Sequence, residues 1–267
     1  MTYPYMISNP VNPVKLMKII ISAINPLFPQ KVIGGSTKHL HNVAVRLGEM
    51  GHTVEIISTQ REDTKRPFQW HPNVTVRPLL QFKQPFPEPY AIPAHKMASN
   101  IRTLAGFLAD ADRYYMHDGE FLFPPIYNNI PTVISLRDNV YPETMLGGFL
   151  FQADKLILIA EYSRQVVLAS MGQIIPDLAL RAIAIPIGID FDLFKPKIPD
   201  PKIFEIIPID PTAQPILLHP HRPEPSKGLM ETVATVDLLV HQHGLTTLKT
   251  LVPRWFDADN SPEVRDF

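Results

Sequence analysis

Short apolar runs alternate with amphipathic stretches over most of the chain. Residues 15–23 (KLMKIIISA) are mainly β-branched and aliphatic, which is typical of a strand buried on both faces. Residues 37–50 carry apolar positions at spacings of three and four, which predicts a helix. Gly51 stands where a helix C-cap belongs, and residues 53–58 (TVEIIS) predict the next strand. Strand, glycine loop, helix and strand within about 45 residues predict a βαβ unit with a right-handed crossover.

The alternation continues towards the middle of the chain. Further strands are predicted at 74–79, 112–117, 132–136, 154–160 and 181–186, and further helices at 94–109 and 161–171. Strands that alternate with helices over this length predict an α/β fold. Specifically, we expect an open, Rossmann-like parallel sheet with helices on both faces.

A proline-rich, irregular passage over residues 194–215 indicates a domain boundary. We therefore divide the chain into an N-terminal tail (1–14), a first Rossmann-like domain (15–196), a proline-rich linker (197–215) and the start of a second Rossmann-like domain (216–267). The last part contains a predicted strand from residue 216, a helix at 227–243 and a strand at 246–252. A single βαβ unit cannot bury both faces of its sheet, so the second domain is expected to be incomplete.

Composition and charge narrow the functional classes. Among the 267 residues, 45% are hydrophobic and 19% are charged, and the net charge is −1, so there is no global electrostatic case for a nucleic-acid partner. Cysteine is absent, which excludes disulfides and thiolate chemistry and allows a reducing compartment, so we expect a cytoplasmic protein. No apolar run approaches the ~18 residues of a membrane span. We predict no transmembrane segment and leave peripheral membrane contact open.

Candidate functional residues fall at the predicted carboxyl ends of strands, where ligands bind in open α/β sheets. These residues are Gly34 and Gly35, His117 and Asp118, Arg137 and Asp138, and Arg222 with Lys227. The glycines would let backbone N–H groups approach a phosphate at the next helix. The loop does not follow the GxGxxG pattern, which disfavours a dinucleotide site.

The stretch ILLHPHRPEPSKGL, residues 216–229, predicts a strand, a loop and a helix N-terminus with two cations five residues apart. Arg222 offers a planar fork for a phosphate, Lys227 adds a point charge, and a helix N-terminus favours an anion. The alternative is a pair of solvated cations on a loop. The residues thus indicate a phosphate or diphosphate pocket without proving one.

Histidines are the other chemical candidates. His117 could hydrogen-bond a substrate hydroxyl, carry a proton, or simply pair with Asp118 in a loop. His39 and His41 should diverge on a helix, and His219 and His221 lack a third ligand at a suitable spacing, so no metal site is predicted. No cofactor is predicted either.

Taken together, four segments resemble the retaining GT-B glycosyltransferases of the family 4 type. The segments are Gly34-Gly35 with the following helix and GHTVEIIST (51–59), DRYYMHD (112–118), IPIGIDFDLFKP (185–196), and HPHRPEPSKGL (219–229). They are similar, in order, to the family's glycine loop with its GHEV-type strand, the strand that ends in the active-site histidine, the passage that ends the first domain, and the "GR…KG" passage. The resemblance covers nearly the whole chain.

The resemblance implies transfer of a sugar from a nucleotide-sugar donor with retention at the anomeric carbon, usually without a metal. It implies a catalytic role for His117 and places the donor diphosphate against the Gly34-Gly35 loop, Arg222 and Lys227. We expect Asp118, Arg137 and Asp138 on the acceptor side. The acceptor would be a sugar, a lipid or another small molecule.

The sequence departs from the family at three informative points. Arg137 stands where many relatives have a histidine after the fifth strand. Ile187 stands where the family has an asparagine before glycine, and no two glutamates are separated by eight positions, although relatives carry such a pair in the donor domain. We therefore expect a first domain with a truncated donor domain that is inactive alone. A non-catalytic sugar- or phosphate-binding module and a GT-B-like epimerase are the alternatives.

Overall fold

The computed structural model describes residues 15–32, 34–83, 91–119, 123–137, 153–197, 200–207, 209–210, 215–221 and 227–253. The chain divides into two compact units, Met1–Gly188 and Ile189–Phe267. The sequence predicts a first domain that ends at residue 196. In the structure the first unit ends at Gly188, and residues 189–196 belong to the second unit.

The first unit contains eight strands and four helices among its described residues. The strands are β1 (Lys18–Pro26), β2 (Thr53–Thr59), β3 (Phe68–His71), β4 (Val74–Leu80), β5 (Arg113–His117), β6 (Thr132–Leu136), β7 (Lys155–Leu158) and β8 (Ala182–Ala184). The helices are α1 (Gly35–Glu49), α2 (Ala94–Leu108), α3 (Glu161–Met171) and the short α4 (Leu178–Arg181), and a 3-10 turn covers Pro124–Ile126.

These strands form one sheet in the order β3-β4-β2-β1-β5-β6-β7-β8. Every neighbouring pair is parallel except the edge pair β3 and β4, which is antiparallel. The parallel, Rossmann-like α/β sheet predicted from the sequence is confirmed. β3 was not predicted, because its four residues, FQWH, carry no clear alternation.

Apolar side chains cover the two faces of the sheet unequally. One core includes Ile20, Ile134 and Leu156 and packs under Leu104 of α2 and Val167 of α3. On the opposite face a smaller core packs under α1 and lies mainly over β1, β2 and β4. Its buried members are Ile19, Ile21, Ala23, Leu27, Leu40, Ala44, Val54, Ile56, Val74 and Val76.

The described part of the second unit has helices α5 (Lys202–Ile206) and α6 (Leu229–His241) and strands β9 (Ile216–Leu218) and β10 (Lys249–Leu251). β9 and β10 are parallel neighbours in a two-stranded sheet. This is the single βαβ unit that the sequence predicts for this region. None of the helices described in either unit combines the length and the apolar character needed to cross a membrane.

Candidate functional site

The candidate site lies at the carboxyl end of β5, beside the first turn of α1. His117 is the last residue of β5, and Ser36 is the second residue of α1. β5 and β1 are parallel neighbours, and the loop after β1 leads into α1, so the two ends meet at the same edge of the sheet. The topology thus brings together residues that are about eighty positions apart in sequence.

A hydrogen-bonded cluster joins these elements. The Ser36 hydroxyl lies 2.8 Å from Nε2 of His117 and donates to Oδ2 of Asp118 at 2.7 Å. The Tyr115 hydroxyl lies 3.0 Å from Nδ1 of His117. His117 is 3% exposed and Asp118 is 6% exposed, so the cluster is largely shielded from water.

One tautomer of His117 satisfies all of these contacts. With the Ser36 hydroxyl proton directed at Asp118, a His117 protonated at Nε2 donates to the Ser36 oxygen. The other ring nitrogen, Nδ1, then accepts from the Tyr115 hydroxyl. In this tautomer His117 is neutral and has a hydrogen-bond partner at each ring nitrogen.

Burial governs the protonation of the cluster. Burial, with smaller contributions from the nearby Arg137 and His39, lowers the pKa of His117 well below 6.5. Burial raises the pKa of Asp118, although the hydrogen bond from Ser36 and the charge of Arg137 act in the opposite direction. At neutral pH, His117 can therefore offer or accept a hydrogen bond but does not carry an extra proton.

Arg137 follows β6 and adds a buried charge beside this cluster. Its Nε lies 3.4 Å from Oδ1 of Asp118, and the residue is 8% exposed. Asp118 has a positive φ of 69°, which is uncommon for a residue other than glycine. Since such conformations concentrate at functional sites, the backbone supports a functional reading of this turn.

The glycine loop presents free space to a ligand. Gly34 has a φ of 81° and precedes the first residue of α1, and no side chain caps that helix. A methyl group added at Gly34 or Gly35 would meet nothing within 4 Å. The first N–H groups of α1 are thus available to an anion.

The predicted second-unit residues are described only in part. Lys227 is exposed and stands one residue before Gly228, which has a φ of 72° and precedes α6. Glu231, in the first turn of α6, is an acidic residue near the N-terminus of that helix, where negative charge is favourable. Arg222 and Asp138 lie outside the described residues, so their predicted roles stay predictions.

Three contributors to the first-unit site were not predicted: Ser36, His39 and Tyr115. The ring of His39 stacks on that of His117 with centroids 6.5 Å apart. Ser36 and His39 are three residues apart on one helix, and Tyr115 lies two residues before His117 on one strand. Residues three apart on a helix, or two apart on a strand, lie on the same side of that element. These spacings were the sequence signal from which Ser36, His39 and Tyr115 could have been predicted.

The other histidines make contacts of their own. His41 contacts Trp70 at 4.9 Å between ring centroids and so diverges from His39. His219 is buried after β9, and its Nδ1 lies 2.9 Å from the Thr232 hydroxyl. Within the described part of the chain, no group of three or more acidic or histidine side chains is arranged to hold a metal ion.

Sequence comparisons and structural comparisons give different results. No family model matches the chain, and no curated protein matches it at the level of sequence. Solved structures do match, over most of the chain. A glycosyltransferase from Rickettsia africae ESF-5 matches with a TM-score of 0.53 and 16% identity, covering 92% of this chain and 69% of its own.

Two further solved structures of sugar-transferring enzymes also match the chain. Starch synthase IV from Arabidopsis thaliana, bound to ADP and acarbose, has a TM-score of 0.54 and 11% identity, covering 88% of this chain and 67% of its own. A UDP-forming trehalose-phosphate synthase from Burkholderia xenovorans matches with a TM-score of 0.53 and 14% identity. The match covers 94% of this chain and 67% of the synthase chain. At these identities the likeness establishes the fold. The chain has the Rossmann-like α/β fold of the GT-B glycosyltransferases.

Proposed function

We propose that this chain belongs to a retaining glycosyltransferase of the family 4 type, which transfers a sugar from a nucleotide-sugar donor. One observation carries the proposal: a buried His117 hydrogen-bonds to Ser36 in the first turn of α1, beside an uncapped Gly34-Gly35 loop. This arrangement offers a hydrogen-bonding group for a sugar and free N–H groups for a phosphate at one edge of a glycosyltransferase-like fold.

In the proposed reaction, the bond between the anomeric carbon and the diphosphate oxygen breaks, and a bond to an acceptor hydroxyl oxygen forms on the same face. The acceptor proton leaves with the departing diphosphate. Positive charges and N–H groups stabilise the charge that develops on the leaving group. We assign this role to the N–H groups near Gly35 in the first unit and, separately, to Lys227 and Arg222 in the second.

His117 acts as a neutral hydrogen-bonding group in this proposal. Its low pKa argues against proton carriage at neutral pH, which was one of the alternatives. Ser36 is half-exposed, and its hydroxyl occupies the position at Nε2 that a sugar hydroxyl would take. Asp118, Arg137 and Asp138 are proposed to face the acceptor.

Since this chain is expected to be inactive alone, the proposal is tested on an enzyme in which the donor domain is completed, with a panel of UDP-, ADP- and GDP-sugars. We expect release of the nucleoside diphosphate, and a retained anomeric configuration in any transfer product seen by NMR. His117→Ala should reduce transfer more than donor binding, whereas Arg222→Ala or Lys227→Ala should abolish turnover. Equal losses of transfer and binding in His117→Ala would make the histidine structural. Normal turnover in both cation variants would contradict the diphosphate assignment.

A non-catalytic binding module is the second candidate function. The observation in its favour is that the uncapped N-terminus of α1 and the buried His117 both belong to the first unit and could hold a sugar phosphate without residues of the second. Calorimetry with the same donors distinguishes the two candidates, because a module would bind a nucleotide sugar or a sugar phosphate without releasing a nucleoside diphosphate.

A further inference from the structure

An apolar cavity of about 500 Å³ opens on the α1 face of the sheet in the first unit. Cavities of roughly 300–1,000 Å³ are the size that commonly holds small molecules. Its apolar wall is built from α1 and from strands β5, β6 and β7. The residues that matter here are Val43, Leu47, Tyr115, Val133 and Ile157.

The order of the strands explains why this surface is open. The connection from β1 to β2 runs towards one edge of the sheet, and it places α1 on one face. The connections that contain α2 and α3 run in the opposite direction, and right-handed crossovers therefore place those helices on the other face. No described helix covers β5, β6 and β7 on the α1 side.

Burial along these strands shows the same asymmetry. Tyr114, Ile134 and Leu156 on the α2 side are 0–1% exposed. Their neighbours on the α1 side, Tyr115, Val133 and Ile157, are only half-buried. An apolar ligand could therefore bury side chains that the described elements leave in contact with water.

Two arginines line the cavity. Arg113, at the start of β5, is exposed and donates to the backbone carbonyl of Asp112, whereas Arg137 follows the end of β6 and is buried. Arg137 is 8% exposed, and neither Nη1 nor Nη2 meets hydrogen-bond geometry with a described residue, although the Tyr115 hydroxyl lies close to the guanidinium. Its Nε faces Asp118 at 3.4 Å without hydrogen-bond geometry. Burying a guanidinium without well-formed hydrogen bonds at its Nη groups is costly, and two adjacent Nη groups match the two oxygens of a carboxylate or phosphate.

We propose that this cavity binds an amphiphilic oxyanion, with its carboxylate or phosphate head on Arg137 and its apolar body along Val43, Tyr115, Val133 and Ile157. The geometry selects this class because the buried guanidinium of Arg137 lies at one end of a mainly apolar wall, with Nη1 and Nη2 outside its contact with Asp118. His39 lines the same end and connects it to His117, 6.5 Å away between ring centroids.

The oxyanion head would therefore lie beside the cluster that includes His117. Interpreting the ligand as the acceptor rests on the proposed function. Binding itself needs no nucleotide sugar, so a failure of binding and a failure of sugar transfer are separate results.

Decanoate, decyl phosphate and decanol are suitable probes, used below their micelle concentrations in calorimetry with the intact chain. We expect at least one of the two anions to bind about tenfold or more tightly than decanol, because a hydrogen-bonded charge is worth roughly 1.5–3 kcal/mol. The ratio between the two anions identifies the head group as carboxylate or phosphate. Equal binding of decanol, or no binding of either anion, overturns the proposal.

Two variants locate the ligand. Arg137→Gln should weaken anion binding about tenfold or more and leave decanol binding unchanged, whereas the control Arg46→Gln, on the exposed surface of α1, should bind like the wild type. Val133→Trp should fill the cavity and prevent binding while Arg137 stays in place, with folding checked by circular dichroism. Anion binding that survives both variants overturns the assignment. So does a dimer in sedimentation experiments that disappears in Val133→Trp, because a second copy would then occupy this face.

Discussion

At the residue scale, the burial of His117 makes the free energy of unfolding depend on pH. Its pKa lies well below 6.5 because burial penalises the imidazolium. Below pH 6.5 the unfolded chain binds a proton that folded His117 refuses. The free energy of unfolding therefore falls as the pH drops below 6.5, and the contribution of His117 is fully present above it.

We predict that this dependence weakens in His117→Asn. Between pH 6.5 and 5.5 the free energy of unfolding of this variant should fall less steeply than that of the wild type, by up to about 1.4 kcal/mol per pH unit. The lowered pKa of His39 acts in the same direction and the raised pKa of Asp118 in the opposite one, and both groups remain in the variant. Urea denaturation at pH 7.5, 6.5 and 5.5 measures the slopes. Parallel curves would contradict the prediction.

The glycine loop allows stability and binding to be separated. Gly35 is the first residue of α1, and an added methyl group there meets nothing within 4 Å. Gly35→Ala should therefore leave stability unchanged or improved, since alanine favours the helix by about 0.5–1 kcal/mol. If the diphosphate of a donor lies against this turn, the methyl group should weaken UDP or ADP binding about tenfold.

Calorimetry of Gly35→Ala with UDP and ADP checks this result. Gly106→Ala is the matched control, because it makes the same change in α2, away from the site, again with nothing within 4 Å. If both variants bind a nucleoside diphosphate that the wild type binds, with unchanged affinity, the glycine loop does not contact it.

At the scale of elements, the packing of α1 and α2 on the sheet can be tested with two glycines. A methyl group at Gly48 of α1 would lie 2.7 Å from Cγ2 of Val74 and 2.8 Å from Nδ1 of His71. Gly48→Ala should therefore lower the free energy of unfolding by about 1–3 kcal/mol, because the helix must move away from β3 and β4. Gly106→Ala should raise it by about 0.5–1 kcal/mol. Urea denaturation of both variants checks the pair, and destabilisation of the same size in both would show that close packing is not the cause.

At the scale of the whole molecule, the first unit should fold without the second. All eight strands of the large sheet and both of its apolar cores lie within Met1–Gly188. We predict that a fragment ending at Gly188 unfolds cooperatively in urea and binds the anionic probe as the intact chain does. Circular dichroism and calorimetry check this expectation. A fragment without a cooperative transition would show that the sheet depends on the second unit.

The sequence predicted the fold well because its main signals are local. Buried strands read as β-branched runs, and the strand at 132–136 and the helix at 161–171 have the bounds predicted for them. The strands that the sequence predicted wrongly or not at all are short ones at the edges of the sheet, β8 and β3. Ala182–Ala184 is shorter than the predicted strand because Arg181 ends the helix before it, and β3 is stabilised by its pairing with β4 instead of by its own pattern.

The sequence by itself determined the parallel α/β class and the placing of His117, Asp118 and Arg137 at the ends of strands, since the carboxyl end of a strand is visible in an apolar run. Only the tertiary structure decided what those residues contact. Ser36 reaches His117 because β1 and β5 are neighbours, and that neighbourhood depends on the order of strands, which no local pattern encodes. The open apolar face has the same origin, because the direction of each crossover decides which face its helix covers.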